Sequence, residues 1–347
     1  MKILHVLNTN KLSGAENVAA DICMMLKDNY EMAYCSPNGS IKESLEDRGV
    51  EFIPIKKMNV IELRKVVKKF KPDIIHAHDI RATVLATLVS GKIPVVTHLH
   101  VKGEDMSNIS LKSLLYMFAS KKAKKVIVVS KSCLDEYRFK QTIQEKSILL
   151  QNIIHSSRVE KLLEKDNNNF SFDFVFLGRL SYQKNPQKIA KVASMVLKKY
   201  PSATFGVIGE GELKNEMQAV FKAEDVIDRV TFTGKLSYPY KALKEAKCML
   251  MCSRYEGTPI AALEAMALGT PIISTPVDGM LDLIINQETG FLASKDEELS
   301  KVVLQVLSNE DLQKEMSVAS VERFRNLNQE DDYKEALISL YNTILNH

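Results

Sequence analysis

The chain has 347 residues, 45% apolar and 26% charged, which describes two ordinary domains with full cores and excludes a disordered chain. Its formal net charge of +4 is too small for a nucleic-acid binder, though it allows contact with a membrane surface. No apolar run approaches a membrane span, no signal peptide opens the chain, and the five cysteines (Cys23, Cys35, Cys133, Cys248, Cys252) form no CxxC pair, so the expectation is a reduced cytoplasmic protein.

The first half alternates short apolar runs with helical patterns. Residues 3–7 read as a strand, 8–14 as a loop and 15–26 as a helix. Residues 31–35, 50–55, 73–78, 94–100, 125–129 and 147–150 are further strand candidates. Helical patterns separate most of them, for example at residues 59–70 and 130–137. Near-continuous Val/Ile runs alternating with helices predict a parallel sheet covered on both faces. Residues 161–173, LEKDNNNFSFD and its flanks, are polar and turn-rich and suit a linker.

The alternation then restarts. Strands are expected at 173–177, 204–208, 230–232 and 248–252, and helices at 186–199 (capped by Asn185), 238–246, 296–307, 311–324 and 331–344. Two α/β halves in series predict ligand sites beyond the carboxyl ends of the strands, and a cleft between halves is the natural active site.

Residues 255–275, YEGTPIAALEAMALGTPIIST, carry two glutamates, Glu256 and Glu264. Thr258 suits an N-cap, Pro259 the first helical position, and Gly269 a left-handed cap before Pro271. The helix predicted from Pro259 to Leu268 has Glu256 in the loop before it and Glu264 about 7 Å along its axis. Its free amides make an anion site beside a carboxylate. An acidic cap and a solvated surface glutamate are the plain structural alternative. Gly178-Arg179 ends a strand, and Lys184 follows; together they could grip a phosphate, whereas either alone reads as surface charge. Gly209-Glu210-Gly211 also follows a strand end. Ser13-Gly14-Ala15-Glu16 opens the first helix, with a lone glycine that permits either backbone approach by a ligand or a simple tight turn. A GxGxxG dinucleotide fingerprint is absent.

His76 and His78 share one strand face, as do His98 and His100. They read as hydrogen-bonded core histidines rather than as a metal site. His100, followed by Val101-Lys102-Gly103, is the one expected to point into the cleft. Residues 59–71 carry Arg64, Lys65, Lys68, Lys69 and Lys71. A second segment sets Lys112, Lys121, Lys122, Lys124 and Lys125 around Leu111, Leu114, Leu115 and Phe118 at helical spacing. That composition suits either a core-packing helix with solvated lysines or docking on an anionic membrane.

The blocks SGAE, GRLSYQKN, VIGEGELK, VTFTGKL and EGTPIAALEAMALGTPII, with His100 at a strand end, occur in an order that resembles retaining glycosyltransferases of family 4. The resemblance implies an α/β GT-B fold of two Rossmann-like domains, and a hexosyltransferase-type activity. The sugar would move from a nucleoside diphosphate donor, with a lean to uridine, to a saccharide or lipid-linked saccharide of a cell-envelope or extracellular polysaccharide. No metal or other cofactor is expected, which fits the missing Asp-x-Asp motif. On this resemblance Arg179 and Lys184 bind the diphosphate. Glu256 contacts the donor sugar and reacting centre, and Gly257, Thr258, Pro259 and Ile260 hold sugar and phosphate by their backbone. Glu264 takes the ribose hydroxyls, and Gly209 and Glu210, with the Thr233-Gly234 turn, flank the base. Gly14 approaches the diphosphate from the other domain, and His100 sits over the sugar. The implied domains are residues 1–160, a linker at 161–172, a nucleotide-sugar domain at 173–325, and a C-terminal helix within 326–347 that packs back on the first domain. The protein is expected in the cytoplasm, peripheral at the membrane, without nucleic acid. Ser13-Gly14 replaces the family's usual double glycine, and Gln151-Asn152-Ile153 stands where Pro-Asn-Gly is usual. A nucleotide-sugar epimerase and a catalytically silent sugar-binding subunit are the alternatives.

Overall fold

The computed structural model describes residues 1–100, 104–155 and 157–346, so the 101–103 segment after His100, and His347 at the end of the expected C-terminal helix, lie outside the described residues. The chain divides into two compact units, Met1–His155 with Gln329–His347, and Ser156–Asn328.

Among the described residues the first unit holds seven strands: β1 (Lys2–Val6), β2 (Glu31–Pro37), β3 (Phe52–Ile55), β4 (Ile74–Ala77), β5 (Val95–Leu99), β6 (Lys125–Val128) and β7 (Ser147–Leu149). They form one parallel sheet in the order β3-β2-β1-β4-β5-β6-β7. The order reverses direction between β1 and β4, which opens a crevice at their carboxyl ends. Helices cover the sheet because their apolar residues recur every three to four positions. In Val60–Phe70 the buried residues are Leu63, Val66, Val67 and Phe70. Asn59 caps that helix, accepting from the Glu62 amide at 2.9 Å.

The second unit repeats the plan with β8 (Phe174–Leu177), β9 (Phe205–Ile208), β10 (Val230–Gly234), β11 (Cys248–Met251), β12 (Ile272–Ser274) and β13 (Gly290–Leu292), in the order β10-β9-β8-β11-β12-β13. Its core joins Phe174, Phe176 and Phe205 to Ile189, Val192, Val196, Phe221 and Val303. Direction reverses between β8 and β11.

Two expectations change. The polar stretch at 161–172 is not a free linker. Arg158–Glu164 is a helix of the second unit, and the residues after it are tied down. Asp166 is fully buried and accepts from the Lys241 amide at 2.8 Å, while Asn168 donates to the Tyr238 carbonyl at 2.9 Å. Polar composition here serves the start of the Tyr240–Glu245 helix. Asn185 does not cap with its side chain: its backbone is left-handed (φ 56°), and its Oδ1 accepts from Arg254 Nη2 at 2.9 Å. The C-terminal helix, Glu330–Leu345, belongs to the first unit, where Tyr341 is fully buried and shares a 2.7 Å hydrogen bond with His76 Nδ1.

Candidate active site

At the carboxyl ends of β8 and β9 the backbone closes tightly. Gly209 has φ +138°, and a Cβ there would overlap the Gly178 carbonyl oxygen. The Gly209 amide donates to the Gly234 carbonyl at 2.9 Å, so Gly234 ends β10 beside the same turn. Glu210 is exposed, and its Oε1 stands 3.3 Å from where a Gly234 Cβ would lie. Arg179 is exposed and makes no ion pair among the described residues.

Lys184 reaches from this turn to Glu256. Its Nζ donates to Glu256 Oε1 at 2.5 Å, and Ser253 Oγ donates to the same oxygen at 2.5 Å. Gln183 Nε2 donates to Glu256 Oε2 at 3.1 Å and to the Tyr255 carbonyl at 3.1 Å. Glu256 is 3% exposed, so the carboxylate is held almost dry by three donors. The two segments that carry the pair are braced together. The Arg254 amide donates to the Gln183 carbonyl at 2.8 Å, its Nε to the Tyr182 carbonyl at 3.1 Å, and its guanidinium stacks on the Tyr182 ring at 4.3 Å.

Gly257, Thr258, Pro259 and Ile260 follow, all buried, and lead into the helix Ile260–Ala267. Pro259, not Thr258, occupies the cap position. Its carbonyl accepts from the Ala262 and Leu263 amides at 3.0 and 3.2 Å. Gly269 takes the left-handed position after the helix (φ +73°). The first amides of such a helix have no intrahelical acceptor, so partial positive charge lies beside Glu256. Behind the loop, a Cβ at Gly279 would overlap the Gly257 carbonyl oxygen, so the neighbouring Asp278–Leu283 helix backs the loop at van der Waals distance.

Glu264, on the helix, is 6% exposed. Its Oε1 accepts from Arg158 Nη2 at 2.9 Å and from Tyr240 Oη at 3.3 Å. Arg158 is among the largest fully buried side chains.

Gly14 and His100 lie in the first unit. Gly14 begins the helix Gly14–Leu26 directly after the loop from β1, and a Cβ there would meet nothing within 4 Å. The loop is tied to that helix by Glu16, whose carboxylate accepts from Thr9 Oγ1 at 2.6 Å and from Ser13 Oγ. His100 stands at the end of β5 and joins a histidine stack. His5 Nδ1 and His78 Nε2 are 2.8 Å apart, and His78 Nδ1 and His100 Nε2 are 3.0 Å apart. Neighbouring rings lie nearly face to face, His76 and His78 at 4.3 Å and His98 and His100 at 4.0 Å between centroids. Burial pushes His5 and His100 down to about 3 and holds His76, His78 and His98 well below the ordinary histidine value, so all five are neutral near pH 7. The triads His5/His76/His78 and His78/His98/His100 have ring nitrogens within 4.8 Å of one another and are the groups among the described residues with ligand chemistry for a metal ion. Hydrogen bonds link His78 to His5 and His100, while both ring nitrogens of His98 and the Nε2 atoms of His5 and His76 are buried without a partner among the described residues.

The structure thus brings Arg179, Lys184, Gly209, Glu210, Glu256–Ile260 and Glu264 to the strand ends of the second unit, with Gly14 and His100 at strand ends of the first. Gln183, Ser253, Arg158, Tyr240 and His5 escape a sequence reading. Gln183 lies inside the GRLSYQKN block, next to Lys184, and that adjacency was the available signal. His5 sits opposite His76 in the β1–β4 register, which only the pairing reveals. Arg158 carries no local signal, since its partner is 106 residues away.

Two family models divide the chain between them: Glycosyltransferase Family 4 matches residues 12–158, and Glycosyl transferases group 1 matches residues 159–323. An uncharacterized glycosyltransferase of Methanocaldococcus jannaschii is 28% identical over 62% of this chain and 58% of its own length. The Escherichia coli UDP-Gal:alpha-D-GlcNAc-diphosphoundecaprenol alpha-1,3-galactosyltransferase is 28% identical over 84% of each chain. Among solved structures, Anabaena HepE in complex with UDP and glucose superposes with a TM-score of 0.83 at 17% identity, covering 99% of this chain and all of that one. Two parallel-sheet units with a reversal point in each, matched by these models across residues 12–323, make the chain a member of glycosyltransferase family 4, a hexosyltransferase-type enzyme of the GT-B fold.

Proposed function

We propose that the protein is a retaining, metal-independent glycosyltransferase that moves a sugar from a nucleoside diphosphate donor, with uridine as the base, to a saccharide or lipid-linked saccharide in cell-envelope or extracellular polysaccharide synthesis. The observation that carries this reading is the Lys184–Glu256 pair at 2.5 Å, with the exposed Arg179 nearby on the same strand-end turn and a helix start following Glu256. The E. coli relative, by its name, takes galactose from UDP-Gal to a diphosphoundecaprenol-linked sugar, which supports a UDP donor and a lipid-linked acceptor.

In the reaction, the bond from the anomeric carbon to the β-phosphate oxygen breaks and an acceptor hydroxyl oxygen bonds to that carbon on the same face. The hydroxyl proton passes to the departing phosphate. Charge grows on that phosphate as the bond lengthens. Arg179, Lys184 and the helix amides meet the charge where it develops, the role a divalent ion fills elsewhere. Both Glu256 oxygens already accept hydrogen bonds, so the carboxylate is suited to stabilise positive charge on the sugar rather than to attack it. Glu264 is assigned to the ribose, Gly209 and Glu210 to the base. In the first unit, Gly14 is assigned to the diphosphate and His100 to the donor sugar.

A thermal-shift screen of nucleotide sugars tests the donor, since a ligand that binds only the folded state raises the melting temperature. UDP-sugars should stabilise the protein and other nucleotides should not. Donor turnover that survives both Glu256→Ala and Lys184→Ala would remove the site from this reading.

A further inference from the structure

A helix on a protein surface normally turns its apolar stripe to the core. The helix Leu111–Lys122 packs inward through Tyr116 and Ala119, with Leu114 and Met117 half-buried, yet turns three large apolar residues outward. Its inward residues are Ser113, Tyr116, Ala119 and Ser120, all buried, while Leu111, Leu115 and Phe118, spaced i, i+4 and i+7, are 75%, 44% and 64% exposed. Ile109, just ahead, is 66% exposed. The orientation is locked. Ser110 and Ser113 form a capping box at the helix start. Tyr137 Oη donates to the Ser113 carbonyl at 3.1 Å, the Tyr116 and Thr97 hydroxyls lie 3.3 Å apart, and Lys122 Nζ donates to the Thr87 carbonyl at 2.6 Å. Rotating the stripe inward would break all of these: the helix packs on the core through Tyr116 and Ala119, as expected of a core-packing segment, and still leaves Leu111, Leu115 and Phe118 outside.

The charge around the stripe says what covers it. Residues 109–125 contain five lysines and no aspartate or glutamate. Lys121 Nζ lies 6.0 Å over the Phe118 ring, at the edge of the apolar stripe. Lys112 pairs with Asp105 at 3.4 Å, and no acid lies within the helix itself, so a second copy seated on this face by two-fold symmetry would set mostly lysines against lysines. An anionic bilayer offers phosphates to the lysines and an acyl boundary to the leucines and phenylalanine.

We propose that this face docks on an anionic lipid surface, with Ile109, Leu111, Leu115 and Phe118 entering the headgroup boundary and the surrounding lysines pairing with lipid phosphates. This deepens the proposed function by naming where a lipid-linked acceptor is met, and it concerns residues outside the donor site.

The test is co-sedimentation of the full chain with phosphatidylglycerol-containing vesicles and with pure phosphatidylcholine vesicles, at low and high salt. The protein should pellet with the anionic vesicles at low salt and be released by high salt. The triple variant Leu111→Ser, Leu115→Ser, Phe118→Ser should lose at least about tenfold in vesicle affinity. All three side chains are exposed, so its melting temperature and its hydrolysis of free donor should match the parent. Loss of donor hydrolysis in the parent itself would instead count against the proposed function and leave the docking result readable. Absence of binding to anionic vesicles, undiminished binding by the triple variant, or a concentration-dependent dimer that the three substitutions dissolve would each overturn the proposal.

Discussion

Lys184 and Glu256 form an ion pair whose lysine comes from the turn after β8 and whose carboxylate comes from the loop after β11, the two strands that flank the reversal point of the second sheet. The pair also ties the turn after β8 to the loop after β11. Removing either partner therefore has two separable effects, one on the phosphate charge and one on the loop.

Lys184→Ala should lower kcat by about 10²–10³-fold, the usual effect of deleting one preorganised charge-stabilising group. Glu256→Gln keeps the volume and the Ser253 hydrogen bond but loses the charge, and should reduce kcat more than it changes donor KM. Steady-state kinetics on both variants checks this. A variant with raised KM and unchanged kcat would mean that the group binds donor uniformly and takes no special part in the transition state.

Arg158→Met should destabilise the second unit by about 3–5 kcal/mol, because it leaves the Glu264 carboxylate buried without its cation. Urea denaturation gives the value. Arg158→Met combined with Glu264→Gln should recover much of the loss, since the uncompensated charge is then gone. A double variant no more stable than the single one would show that the cost is packing rather than charge.

Gly209→Ala should destabilise by on the order of 3 kcal/mol or more, through a positive φ and overlap with the Gly178 carbonyl. Gly14→Ala should be near-neutral for stability, because its Cβ would enter open space. Melting temperatures of the two variants decide it, and equal shifts would contradict the geometry. If Gly14 serves the donor diphosphate, its variant should nonetheless raise donor KM.

The histidine stack makes stability depend on pH in one direction. Above about 6.5 the five imidazoles are neutral both folded and unfolded, and contribute no pH dependence. As pH falls below that value the unfolded chain takes up protons that the folded stack resists. For His5 and His100, whose folded values lie near 3, stability then falls by about 1.4 kcal/mol per pH unit each, and burial of His76, His78 and His98 acts in the same direction. Urea midpoints near pH 7 and at about pH 5.5 measure this, and His98→Leu should flatten the difference. Equal midpoints in the parent protein would contradict neutral buried imidazoles.

Chelation should leave transfer unchanged, because Arg179, Lys184 and the helix amides are assigned the phosphate charge. Activity lost in EDTA and restored by a divalent cation would reverse that assignment.

Much of this was legible in the sequence because it is local. Strand ends, glycine turns and the helix after Pro259 are written in runs of five to ten residues, and so the positions of Glu256, Lys184 and Gly209 could be read from spacing. Arg158 could not, since its role is set by a partner on another element. The histidines were half legible: alternation puts His76 and His78 on one face, but only strand order brings His5 and His100 to them. The segment 111–122 was misleading in a definite way. Its leucine spacing announces a helix, and its hydroxyl residues decide which side of that helix faces in.

The return of residues 329–347 to the first unit has a consequence for biosynthesis. Tyr333, Leu337, Leu340 and Tyr341 are buried, and Tyr341 packs on His76 and Tyr30, made 265 and 311 positions earlier. During translation the second unit has all its strands before that helix leaves the ribosome, while the first waits with Tyr341's place against His76 open. The nascent first unit therefore holds an apolar groove throughout synthesis of the second, and a ribosome stalled before Tyr333 would release a chain with one finished half and one half for chaperones to recognise.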